Sequence, residues 1–151
     1  MAIKKPIDIA PVVDVKEPKI RKTIQGVSYF KIVSSDVLSN EYTLNPYDLN
    51  GNLFSNVTIE CDLSLGQVYI HLPTINDGKI QDEDPTYPSL KGNFNIAINI
   101  SISNQNDAYS LAIYAVDDFI SGKGSIQLNE AGSSVILKPI TSNAYSVLIT
   151  Q

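Results

Sequence analysis

This sequence of 151 residues predicts an all-β fold, an antiparallel β-sandwich of jelly-roll type with about eight or nine strands. Three observations carry that expectation. Phe94, Ile96, Ile98, Ile100 and Ile102 alternate with Asn95, Ala97, Asn99, Ser101 and Ser103, the period of two of a strand with one buried face. Clusters of Asn, Asp, Ser, Gly and Pro recur between the apolar runs, as turns do. No stretch repeats its apolar residues with the period of an amphipathic helix.

Residues 1–26 read as an extended arm, and 27–151 as the β-sandwich domain. Pro6, Pro11 and Pro18 forbid a helix there, while Ile3, Ile7, Ile9, Val12, Val13, Val15 and Ile20 make the segment too apolar for a solvated tail. Two readings stand: a disordered basic terminus, or an arm that orders on a neighbouring subunit. In the second, Ile3, Ile7, Ile9, Val13, Val15, Ile20 and Arg21 contact the partner. Fully extended, such an arm reaches roughly 80–90 Å.

Strands are expected at Val27–Val33 and, more weakly, at Tyr42–Leu44. The run from Asn45 to Asn52 is turn chemistry. Val57–Leu63 and Gln67–Leu72 follow, and their separation by Ser64-Leu65-Gly66 suits a hairpin. After Pro73 the alternation breaks as far as Asn93, with Pro85 and Pro88 inside, so a long surface loop is expected. The strand 94–103 comes next, then Tyr109–Val116, Ser125–Asn129, Ser134–Lys138 and Tyr145–Thr150.

The net charge of −5 is unevenly spread: residues 1–22 carry +3, so the remainder carries −8. A basic end on an acidic body seeks an acidic surface, whereas the body itself argues against nucleic acid. The one cysteine, Cys61, lies in the alternating run Val57, Ile59, Cys61, Leu63 and reads as a small buried hydrophobe. No stretch has the length of a membrane span, and the N-terminus lacks an apolar signal-peptide core.

The residues offer little catalytic chemistry. His71 is the only histidine, and the sequence suggests no orienting partner for it. Zinc needs more ligands than one Cys and one His supply. Asp82, Glu83 and Asp84 could offer oxygen ligands to Ca²⁺, against a solvated acidic loop. Asp48-Leu49-Asn50-Gly51 fails the EF-hand register because Pro46 stands where the first acidic ligand belongs. Asp117 and Asp118, being adjacent on a strand, point to opposite faces and make a poor glycosidase pair. No cofactor motif occurs, and no enzyme is expected. Eight tyrosines could supply a sugar-stacking platform, with Asp82, Asp84 and Tyr87 as the candidate ligand loop.

The order Ile70-His71-Leu72-Pro73, the alternating strand, Asp117, Ile120-Ser-Gly-Lys-Gly-Ser-Ile-Gln-Leu-Asn129, Ser134-Val-Ile-Leu137 and Tyr145-Ser-Val-Leu148 resembles the small β-domains of tailed-phage virion proteins. These occur in head fibres, capsid decoration proteins and tail-fibre segments. The richness in Ile, Asn, Ser and Lys is similar to that of crAss-like phages. The chain departs from the pattern at Tyr145, where Trp is common, and at 139–143. The resemblance implies a non-enzymatic capsid decoration or head-fibre protein, located in the virion and assembled in the host cytoplasm. It further implies a homo-oligomer, a trimer ahead of a dimer, attached to capsid proteins through its N-terminal segment. The alternative is a carbohydrate-binding, lectin-like module of a fibre or tail protein.

Overall fold

The computed structural model describes residues 21–24, 26–33, 40–76, 84–106, 108–115, 119–120, 122–141 and 143–150. Among them the chain is β-structure and turn, without an α-helix. It forms eleven strands: β1 (Arg21–Ile24), β2 (Val27–Val33), β3 (Glu41–Thr43), β4 (Asn56–Leu63), β5 (Val68–Leu72), β6 (Ala97–Gln105), β7 (Leu111–Ala115), β8 (Phe119–Ile120), β9 (Ser125–Leu128), β10 (Ser134–Thr141) and β11 (Ala144–Thr150). Seven make one sheet in the order β1-β2-β4-β6-β10-β11-β8, and four make a second, β3-β5-β7-β9.

From β2 to β7 the chain alternates between the two sheets, so it winds. β2, β4 and β6 lie side by side and parallel in the larger sheet; β3, β5 and β7 do the same in the smaller one. A parallel pair needs a long crossover to bring the chain back to the same end. Here each crossover contains a strand of the opposite sheet. The winding ends antiparallel: β9 returns along β7, β10 along β6, and β11 along β10. At the other edge, β1 folds back on β2 through Gly26, whose φ of 83° a side-chain-bearing residue rarely adopts.

Two expectations are corrected by this topology. The sheets are mixed, and their central pairings are parallel rather than antiparallel. The strands either side of Ser64-Leu65-Gly66 do not form a hairpin either: β4 pairs with β2 and β6, β5 with β3 and β7. The short segment is a corner between sheets. Asp62 shapes it, its carboxylate Oδ1 accepting from the Ser64 amide at 2.9 Å. Within the stretch read as an arm, Arg21–Ile24 pair with β2 of the same chain; Ile3, Ile7, Ile9, Val13, Val15 and Ile20 lie outside the described residues.

Parallel registry stacks like on like inside the molecule. Phe30, Ile59, Ile100 and Val135 form one row across the larger sheet; Ser28, Val57, Ile98 and Leu137 form another, and Ile32, Cys61 and Ile102 a third. All of these side chains are buried. The smaller sheet answers with Tyr42, Ile70, Ile113 and Ile126, and with Val68, Leu111 and Leu128. Both sets belong to one core, in which the rings of Phe30 and Tyr42 meet edge to face, 5.4 Å between centroids, across the two sheets. Each fully buried Ile in these rows stabilises the fold by about 1.5–3 kcal/mol relative to exposure. Cys61 is fully buried, as expected, and burial pushes its thiol pKa up, which leaves it unreactive. Phe94, by contrast, lies before the start of β6 and is 40% exposed, so the alternating run in the sequence is longer at its N-terminal end than the strand.

Candidate functional site

The smaller sheet has an outer face on which β3, β5, β7 and β9 present every second residue. One row across it is Glu41, Tyr69, Ala112 and Gln127; the next is Thr43, His71, Tyr114 and Ser125. No sequence neighbour relation links these positions. The winding brings them together, because β5 and β7 lie parallel and in register.

His71 therefore does have a partner. Its Nε2 lies 2.6 Å from Glu41 Oε1, contributed from thirty positions earlier by the parallel β3/β5 pair. Its ring stacks on Tyr114, with centroids 5.3 Å apart and planes 18° apart, and Tyr69 lies 6.1 Å from Tyr114. Glu41 is the only side chain hydrogen-bonded to His71 among the described residues, so no hydroxyl or thiol is held against the imidazole as a nucleophile would be. What the row offers is a line of aromatic rings edged by polar groups.

On the far side of Tyr114 from His71, the small residues Ala112 and Ser125 leave room. Together with Tyr114, Lys123 and Gln127, and with Ile126 of β9 and Ile149 of β11 at the margin of the core, they line a concavity of about 460 Å³ that runs from this face over the β9 edge. That volume falls within the range of small-molecule sites, roughly 300–1,000 Å³. The hydroxyls of Tyr69 and Tyr114, the Gln127 amide and the Lys123 ammonium make no hydrogen bond or ion pair with any described residue.

Other tyrosines are committed to structure. Tyr145 is buried and donates its hydroxyl to Pro73 O at 2.6 Å; Tyr87 donates to Leu72 O at 2.9 Å, and Tyr47 to Ser89 O at 2.7 Å. These three bonds pin both ends of the segment that the sequence marks as a long surface loop. Its flanks are more than surface: Thr74, Ile75, Ser89 and Leu90 are buried, and the backbone bonds Thr74 N to Pro88 O and Leu90 N to Thr74 O hold them together. Of the ligand-loop candidates, Tyr87 is half-buried against that segment. The Asp84 carboxylate accepts from the Thr86 amide and hydroxyl at 3.1 and 2.5 Å in a local turn, and Asp82 lies outside the described residues. Asp48 likewise holds its own turn, accepting from the amides of Asn50 and Asn52. Among the described residues no three His, Cys, Asp or Glu side chains cluster as metal ligands would.

The outer face of the larger sheet differs in character. Tyr29, Thr58, Asn99, Ile136 and Leu148 form one row and Lys31, Glu60, Ser101, Ser134 and Thr150 the next. Tyr29 donates its hydroxyl to the Glu60 carboxylate, and that bond to an anion raises the phenol pKa. Lys31 Nζ lies 3.7 Å from Glu60 Oε2. Among the described residues β11 meets β8 only at Ala144 and Tyr145, so Ser146–Thr150 have no described strand on that side, and Leu148 and Ile149 there are 62% and 46% exposed. No protein-family model, curated protein or solved structure matches this chain.

Proposed function

We propose that this chain is a non-catalytic structural protein of a phage virion, a capsid decoration or head-fibre component whose N-terminal segment docks on neighbouring subunits. The observation that carries the reading is where that segment joins the body. Residues 1–20 run directly into β1, an edge strand of the larger sheet. A leader whose sequence is apolar and proline-punctuated, joined to a sheet-edge strand, suits backbone pairing with another chain. The opposite end of the same sheet supplies a receiving surface, the Ser146–Thr150 edge with Leu148 and Ile149 uncovered. Donor and acceptor at different places on one molecule make a head-to-tail contact, which closes into a ring when the rotation allows, as in a trimer. Residues 1–20 carry +1 and the remainder −6, so charge opposes the docking of this leader on a second copy less than it would that of an acidic one.

Deleting residues 1–20 while keeping β1 tests the proposal. The truncated protein should keep its β-type circular dichroism and its melting temperature, but run as a monomer in light scattering and fail to join particles. Normal incorporation of the truncated chain refutes the anchoring role.

A further inference from the structure

Beyond assembly, we propose that the outer face of the four-stranded sheet binds an acidic sugar, with a pyranose ring seated against Tyr114 and its carboxylate on Lys123. Four observations converge there. The Tyr114 ring is braced on one face by the His71 stack, and its other face turns toward β9, where the concavity opens. Sugar rings present an apolar C–H face that packs on such an aromatic wall. The floor is made by Ala112 and Ser125, the smallest residues in the two rows, so the depression comes from side-chain size in the sequence. The polar groups around it are uncommitted: the Tyr114 hydroxyl, the Gln127 amide and the Ser125 hydroxyl face the space with hydrogen-bonding capacity left over for ring hydroxyls.

The charge selects the class of sugar. Lys123 is exposed and forms no ion pair among the described residues, on a body that is otherwise strongly acidic. Glu41, the carboxylate of these two rows, sits on the opposite edge strand and is held by His71. A carboxylate-bearing pyranose satisfies the ammonium; a neutral sugar leaves it unused.

The test follows backbone amides of the full-length ¹⁵N-labelled protein by NMR during titration with trigalacturonate, with N-acetylneuraminyllactose and with neutral maltotriose. Either acid is expected to shift the amides of Ala112, Ser125 and Gln127, and maltotriose is not. Tyr114→Ala and Lys123→Met should each weaken the acid's binding by about tenfold, the loss of one good contact. Added salt should weaken binding by the parent more than by Lys123→Met. If Tyr114→Ala lowers the melting temperature, Lys123→Met, an exposed change, decides alone. Absence of shifts at those amides with both acids overturns the proposal, as does equal binding of maltotriose or binding unaffected by Lys123→Met. Ile149 borders both this site and the β11 edge offered to the arm, but Lys123 does not belong to that edge, so Lys123→Met should leave particle incorporation unchanged, and the failure of this proposal is separable from that of the anchoring role.

Discussion

Replacing Tyr145 by phenylalanine removes one hydroxyl from the place where β11 meets the long segment between β5 and β6. The ring is 1% exposed, and its hydroxyl donates to Pro73 O at 2.6 Å. Phenylalanine keeps the ring's packing, so the change is confined to the hydroxyl. Pro73 is itself buried, and its carbonyl would lose this donor where water has little access. Leaving a buried acceptor unsatisfied costs about 1–3 kcal/mol. For a chain of this size each kcal/mol moves the melting temperature by roughly 2–4 °C, so a fall of about 2–12 °C is expected. Tyr87→Phe is the internal control. Its hydroxyl serves the adjacent carbonyl, Leu72 O, but the residue is only half-buried and water can take its place, so the loss should stay below about 1 kcal/mol. Urea denaturation followed by circular dichroism measures both. A Tyr145→Phe protein as stable as the parent, or a larger loss in Tyr87→Phe, would refute the idea that the buried tyrosine tethers this segment.

Ile100→Ala, in the fully buried row of β6, should destabilise by about 2–5 kcal/mol, whereas Leu148→Ala on the exposed face should stay within about 0.5 kcal/mol; equal losses in denaturant titrations would mean that the faces of the larger sheet are misassigned. Asp62→Asn tests the corner between β4 and β5. The Ser64 side chain and amide hold the Asp62 pKa below its ordinary value of 3.8, so the carboxylate's contribution is present above that value and disappears as pH falls through the lowered one. The parent should therefore melt higher than Asp62→Asn near neutral pH, and the gap should close as pH falls from the ordinary carboxylate range through the lowered value; a gap independent of pH would remove the carboxylate from that role.

Much of the strand content is legible because a period of two is a local property. Val57–Leu63 and Gln67–Leu72 match β4 and β5 within a residue at either end, and the burial of Cys61 follows from its place in an alternating run. Pairing direction is another matter. An alternating strand has the same pattern whether its neighbour runs parallel or antiparallel, so Ser64-Leu65-Gly66 reads equally as a hairpin or as a corner between sheets. The signal that distinguishes them is long-range: Phe30-Lys31-Ile32, Ile59-Glu60-Cys61 and Ile100-Ser101-Ile102 are equivalent three-residue steps of successive windings. It is hard to see because residues 73–96 lengthen the last winding and spoil the repeat.

The same long-range registry explains why the outer face of the smaller sheet is illegible in one dimension. Glu41 reaches His71, and His71 reaches Tyr114, only because three short strands from three windings lie parallel with Thr43, His71 and Tyr114 level. An antiparallel hairpin of β4 on β5 would have placed the strand Val57–Leu63 beside His71 in place of one of the strands that carry Glu41 and Tyr114. The chemistry of the face is thus a consequence of the winding more than of any motif. A change that shifts β5 by one residue against β7 would turn Tyr69 and His71 inward and Ile70 outward, and would cost the stack and the core together. Any ligand held beside Tyr114 therefore draws on the stability of the interior, since the rows beneath it, Ile70 on Ile113 and Val68 on Leu111, are what keep the rings in line.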